Sequence, residues 1–282
     1  MIDGTLEAVL RRDRLIVGSA LGVIAALAWA YILWLAADMA GMDMSPEDPS
    51  AGGFRMVPAG IGMMAPATAP WSTIELILVF VMWAVMMVGM MAPSAAPMIL
   101  MYARVGRQGK LAGKPLAATG WFAAGYLLAW IGFSLAATLV QWVLERQALL
   151  DVRMASANRL LGAVVLITAG VYQWTPIKNA CRIQCQTPLT FLMSRGGFRS
   201  SILECLHLGL LHGSYCVGCC WALMALLFVV GVMNVLWIAL LALLVLMEKL
   251  TPWGRWVSRA AGAVCIAAGT WIVFLPALPR LA

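Results

Sequence analysis

Seven stretches of this chain run for about twenty residues almost without charge: 15–37, 73–92, 117–142, 158–175, 205–231, 233–249 and 256–276. A helix rises 1.5 Å per residue, so about twenty apolar residues cross a ~30 Å hydrocarbon layer. Only 11% of the residues are charged and 63% are hydrophobic, with a mean hydropathy of +0.91. A soluble domain carries about 25% charged residues. A chain this poor in charge cannot cover a water-facing surface, so lipid must be much of its solvent. The expected fold is an all-α, polytopic membrane helix bundle of about seven transmembrane helices.

The basic residues fix an orientation. If the seven segments span in turn, one set of alternating loops holds fourteen of the 19 Lys and Arg residues, among them Arg104, Arg107, Lys178, Arg195 and Arg255. The opposite set holds Arg55, Arg146, Arg153, Arg159 and Arg280. The positive-inside rule places the richer side, and with it the N-terminus, in the cytoplasm. The resulting organisation is a cytoplasmic tail over 1–14, a first transmembrane helix over 15–37, an external Met-, Pro- and Gly-rich loop over 38–71, and a six-helix membrane core over 72–282. The external loop is expected to be irregular. The net charge of +7 is explained by these loops, and no basic stripe with interleaved aromatics suggests nucleic acid.

One short repeat stands out. Gly62-Met63-Met64-Ala65-Pro66-Ala67-Thr68-Ala69-Pro70 matches Gly89-Met90-Met91-Ala92-Pro93-Ser94-Ala95-Ala96-Pro97 at seven of nine positions.

Sulfur is the chemistry this chain is rich in, with 19 Met and seven Cys. In the external loop Met39, Met42 and Met44 are interleaved with Asp38 and Asp43. In the second apolar segment Met82, Met86 and Met90 fall at about 0°, 40° and 80° on a helix, one stripe, with Glu75 at about 20° at its head. Met also fills gaps in apolar cores. A row of neutral thioethers, however, suits a soft monovalent ion such as copper(I), which it holds without trapping.

The cysteines concentrate between Cys181 and Cys220. Cys181-x3-Cys185 follows the fourth segment, and the fifth carries Cys205, His212, Cys216, Cys219 and Cys220. Taking His212 as the origin on a helix, Cys205 is rotated by about 20°, Cys216 by about 40° and Cys220 by about 80°, with Cys219 about 20° the other way. Gly209, Gly213 and Gly218 keep this helix thin enough for a neighbour to approach closely. Thiolate and imidazole bind copper(I) and, alternatively, zinc. One helix does not complete a coordination shell, so Cys181, Cys185 or the methionine stripe must supply the rest. Cys265 is expected to pack. Among the carboxylates, Glu204 and Glu248 are expected to sit at span ends, Glu248 next to Lys249 in sequence.

The run Met82-Trp83-Ala84-Val85-Met86-Met87-Val88-Gly89-Met90-Met91-Ala92-Pro93-Ser94, with Cys181-Arg182-x-x-Cys185 and His212-Gly213-x-Tyr215-Cys216-x-Gly218-Cys219-Cys220-Trp221, resembles a bacterial family of metal-binding integral membrane proteins known as a domain of unknown function. The resemblance covers about residues 70–276 and implies metal binding in a multi-pass protein of the bacterial inner (cytoplasmic) membrane. Met82-x3-Met86 is also similar to the signature of eukaryotic copper transporters, although this chain has more spans than they do.

These readings converge on soft-metal handling, most simply of copper(I). Metal would be caught by Met39, Met42 and Met44, pass along Met82, Met86 and Met90, and reach Cys216, Cys219, Cys220 and His212. Neutral ligands outside and anionic ones inside make binding tighter inward, which favours uptake or loading of a partner, a metallochaperone or a membrane metalloenzyme. Two other readings compete: a thiol–disulfide relay through Cys181/Cys185 and Cys216/Cys219, and a non-transporting assembly factor for a metalloenzyme.

Overall fold

A computed structural model of the chain describes residues 2–40, 54–58, 64–66, 69–108, 115–151, 154–199 and 201–274. The elements are α1 (Ile2–Ala40), β1 (Phe54–Met56), β2 (Met64–Pro66), α2 (Thr73–Gln108), α3 (Pro115–Arg146), α4 (Arg159–Tyr172), α5 (Pro176–Gln186), α6 (Pro188–Met193), α7 (Ile202–Ala225), α8 (Leu227–Val230), α9 (Val235–Leu250) and α10 (Gly254–Phe274).

Among the described residues, five helices are long and apolar enough to cross a membrane, and six if the bent pair α4–α5 forms one span. The count is lower than the expected seven for two physical reasons. The segment 233–249 forms α9, whose 16 residues reach only about 24 Å. The segment 158–175 ends early: Pro176 cannot continue the ladder, Thr175 caps a new helix through its side chain to the Lys178 N–H, and the axis turns by 63°.

The loop expected over 38–71 is also changed at both levels. Helix α1 runs on through Met39 to Ala40, and its backbone starts at Ile2, within the stretch read as a tail. Within the loop, β1 and β2 pair antiparallel, with Arg55 opposite Ala65.

Helices α2 and α7 form the centre. Half of the most apolar window of each is buried, against 11% for α1 and 17% for α10. The outer faces carry exposed Leu27, Leu33, Leu135, Val143, Val264 and Phe274. Helix α1 lies on α2 where Gly89 admits Ala28 and Ile32. Pro93 lacks the N–H that would bond the Gly89 carbonyl, and the Trp29 indole donates to that oxygen instead, at 3.2 Å.

Glycine sets the α3–α7 contact. A Cβ on Gly209 would collide with the Phe122 carbonyl oxygen, and one on Gly213 would lie 2.9 Å from that of Tyr126. The two backbones therefore meet directly. The register between α2 and α3 is fixed by a polar chain: Trp83 donates to Gln141 at 2.7 Å, Gln141 to Glu145 at 2.9 Å, and Trp71 to Glu145 at 3.1 Å.

Candidate metal centre

The close approach of α3 brings Tyr126 against the middle of α7. Its hydroxyl lies 3.1 Å from the Cys216 sulfur and 3.3 Å from the Met91 carbonyl. The end of α9 arrives from another side. Lys249 Nζ is 2.8 Å from the Cys216 sulfur and 3.1 Å from the Ser94 hydroxyl. From α5, the Cys185 thiol is close enough to interact with Cys216 and Cys219, as Cys220 is from α7 itself. Four thiols from two helices thus share one interior site, with Cys216, Cys219 and Cys220 each at most 2% exposed.

Cys181 borders this group. Its sulfur rests where a Cβ on Gly218 would come within 3.0 Å, so the third glycine of α7 makes room for α5 rather than α3. The Gly218 carbonyl also accepts a hydrogen bond from the Tyr172 hydroxyl, which ties the end of α4 to the same turn.

His212 lies one turn from Cys216 and is 3% exposed. Its ring is enclosed by Phe122, Tyr126 and Phe191, with centroids 6.1, 6.0 and 5.0 Å away. Its Nδ1 has no hydrogen-bond partner among the described residues. A buried nitrogen left without a partner costs stability unless a ligand uses it.

Charge at the site is unusual. Buried Lys178 has a carboxylate, donating to Glu248 at 2.8 and 3.0 Å and also to Gln173. Lys249, 6% exposed, pairs with no carboxylate among the described residues. Its acceptors are a hydroxyl and a sulfur. A buried ammonium needs a counter-charge, and the Cys216 sulfur is the titratable group in contact with it.

The other candidates fall elsewhere. Cys205 lies on the predicted face, but eleven residues from Cys216, about 16 Å along the helix; it pairs with the Tyr102 hydroxyl at 3.4 Å and the Arg199 carbonyl at 3.3 Å. Glu75 is buried, and with Ser72 it closes a capping box at the start of α2: Ser72 N–H donates to the carboxylate at 2.5 Å, and Glu75 N–H to the Ser72 hydroxyl at 3.2 Å. Met82, Met86 and Met90 are each at most 2% exposed and belong to the core that also holds Met39. Met39 therefore packs inside the bundle, because α1 extends over it. Met42 and Met44 lie outside the described residues. Glu204 is exposed and pairs with Arg199 at 3.3 Å, and Cys265 stays apart on α10.

Sequence reasoning passed over Lys249, Tyr126 and Ser94 as members of the site. The available signal was a lysine closing the most apolar helix of the chain, read as a charge reaching for water.

Among the described residues, no three His, Cys, Asp or Glu side chains are already arranged around a point that would hold a metal ion. The thiols of Cys219 and Cys220 instead donate to the Cys216 carbonyl on their own helix, at 3.1 and 3.0 Å. The donor types nevertheless suit a soft ion: four neighbouring thiols and an orphan imidazole nitrogen.

The fold is an all-α bundle in which buried Cys216 contacts buried Lys249. Residues 80–272, more than half of the chain, match the PpoB2 copper chaperone family, and the chain belongs to that family. No curated protein and no solved structure matches it.

Proposed function

We propose that this chain is a multi-pass protein of the bacterial inner membrane that handles copper(I) and hands it to a partner. The observation that carries this reading is the contact of Lys249 with Cys216 inside a group of four thiols. One copper(I) and two thiolates sum to a charge of −1. Lys249 brings the total to zero, which a low-dielectric interior tolerates.

Cys216 is the first ligand, with Cys185, Cys219 or Cys220 as the second, and His212 and Cys181 at the margin. The cargo approaches along Met39, Met82, Met86 and Met90. The lower end of that stripe adjoins the thiols, since Met91 and Ser94 are bonded to Tyr126 and Lys249. The family description favours copper over zinc, the alternative for a thiol-rich set. The family's description as a copper chaperone supports delivery, to a soluble metallochaperone or a membrane metalloenzyme, over uptake as an end in itself. The seven-span topology with a cytoplasmic N-terminus is retained as part of the proposal, with α9 as a short seventh segment.

Competition titration of the purified full-length chain with a copper(I) chelator tests the reading. Cys216→Ala is expected to weaken binding at least a hundredfold, and Cys205→Ala to leave it unchanged. Equal losses in both variants would refute the assignment. Alkylation followed by mass spectrometry separates a thiol relay, which forms reversible Cys185–Cys216 or Cys216–Cys219 disulfides, from thiols that stay reduced and are protected by metal.

A further inference from the structure

A second polar site lies beside the first, at the bend between α4 and α5. A pocket of about 200 Å³ is lined by Gln173, Trp174, Lys178, Arg182, Arg255 and Arg259, among others. Among the described residues, none of the three arginines pairs with a carboxylate. Arg182 donates to Gln186 and Asn179, both neutral. Arg259 lies over the Trp256 ring, and Glu248, the acid on this side, is occupied by Lys178. Like charges gathered without acids repel one another unless an anion joins them.

Two further features point to a ligand. Gln173 is 5% exposed and lines the pocket; its side-chain oxygen accepts from Lys178 and Ser258, while its Nε2 has no partner among the described residues. The N-terminus of the 11-residue α5 opens on the same space, adding the positive end of a helix dipole.

The surroundings indicate the source of the anion. Trp174, Trp253 and Trp256 are 58%, 69% and 64% exposed around this end of α10, and Trp271 is 68% exposed at the other. Helix α10 has 21 residues and so is about 30 Å long, one hydrocarbon thickness. Exposed indoles at both ends of such a helix mark two headgroup layers. The pocket opens at one of them, on the side where Lys and Arg accumulate.

We infer that the α4–α5 pocket binds a phosphate group, presented by the headgroup of an anionic phospholipid. The inference uses the membrane placement proposed above but no part of the metal chemistry. Glu248 and Lys249 are consecutive on α9, one held by the pocket's Lys178 and the other by Cys216, so the two sites share the last turn of one helix.

Native mass spectrometry and thermal melting of the full-length chain test this, with phosphatidylglycerol, phosphatidylcholine or inorganic phosphate added to detergent-purified protein. The double variant Arg255→Gln/Arg259→Gln removes two pocket charges and leaves the thiol site intact. Retention of phosphatidylglycerol over phosphatidylcholine, reduced at least fivefold in the variant, is expected. Stabilisation by inorganic phosphate, lost in the variant and without lipid preference, would keep the phosphate site and overturn its lipid source. Equal lipid retention by both proteins, with no effect of phosphate, would overturn the site altogether. Copper(I) titration of the same variant separates this inference from the functional proposal, because binding there is expected to be unchanged.

Discussion

Lys249 and Cys216 each solve a problem the other creates. A lone ammonium or a lone thiolate is costly in an apolar interior, and at 2.8 Å the two form a neutral pair. This sets the proton balance of metal binding. If the pair is ammonium and thiolate, as proposed, copper(I) would displace one proton, from the second thiol, and the site's charge would not change. Because metal takes the deprotonated ligand, affinity rises with pH. Over the range in which that second thiol is protonated when free, the apparent affinity should rise about tenfold per pH unit. With Lys249→Gln both sulfurs begin as thiols, two protons leave, and the slope should approach a hundredfold per unit with weaker binding at neutral pH. Lys249→Arg should keep the single-proton slope. Titrations at several pH values give the slopes, and identical slopes for the parent and Lys249→Gln would contradict this account of the pair. The helical angles in the sequence were enough to group His212, Cys216, Cys219 and Cys220. They could not reveal Lys249 and Tyr126, which come from positions 33 and 90 residues away. Nor could they exclude Cys205, because a face has no depth until neighbouring helices mark it.

At the level of elements, α2 packs at the centre of the bundle, and the proposed function gives it a second duty, carrying the methionine row toward the thiols. The packing role predicts tolerance: Met and Leu are similar in volume, and such swaps usually cost less than about 1.5 kcal/mol each. The conducting role predicts the opposite for function. A Met82→Leu/Met86→Leu/Met90→Leu variant should melt near the parent and retain equilibrium copper(I) affinity at the thiols. It should load them at least tenfold more slowly, by stopped-flow with a copper(I)–chelator donor. Loading at the parental rate would reduce the row to packing. The apolar runs made most of these helices legible, but not where they stop. The bend at Pro176 and the brevity of α9 depend on caps and neighbours. The repeat makes the same point more sharply. Met64-Ala65-Pro66 is a strand in β2, while Met91-Ala92-Pro93 is helical in α2. The tripeptide tolerates both, and the indole of Trp29, reaching the carbonyl that Pro93 leaves free, helps decide it in α2.

The whole molecule is read as a bundle whose thiol site lies toward the basic side. Cys216 is fourteen residues from the end of α8 at Val230, about 21 Å down a path that crosses ~30 Å of hydrocarbon. In the proposed topology that side is the cytoplasm, so copper would finish where a delivery partner can reach it. Single cysteines introduced at Gln147 and Pro252, and labelled in intact cells with a membrane-impermeant maleimide, check the orientation. Gln147→Cys should react from outside, and Pro252→Cys only after permeabilisation. The reverse pattern would invert the direction of delivery.

X-ray absorption at the copper edge tests the central claim most directly. On the copper(I)-loaded full-length chain, the account predicts one ion per chain with a sulfur-dominated shell, abolished by Cys216→Ala. A shell of oxygen and nitrogen alone, or an unchanged spectrum in Cys216→Ala, would contradict it.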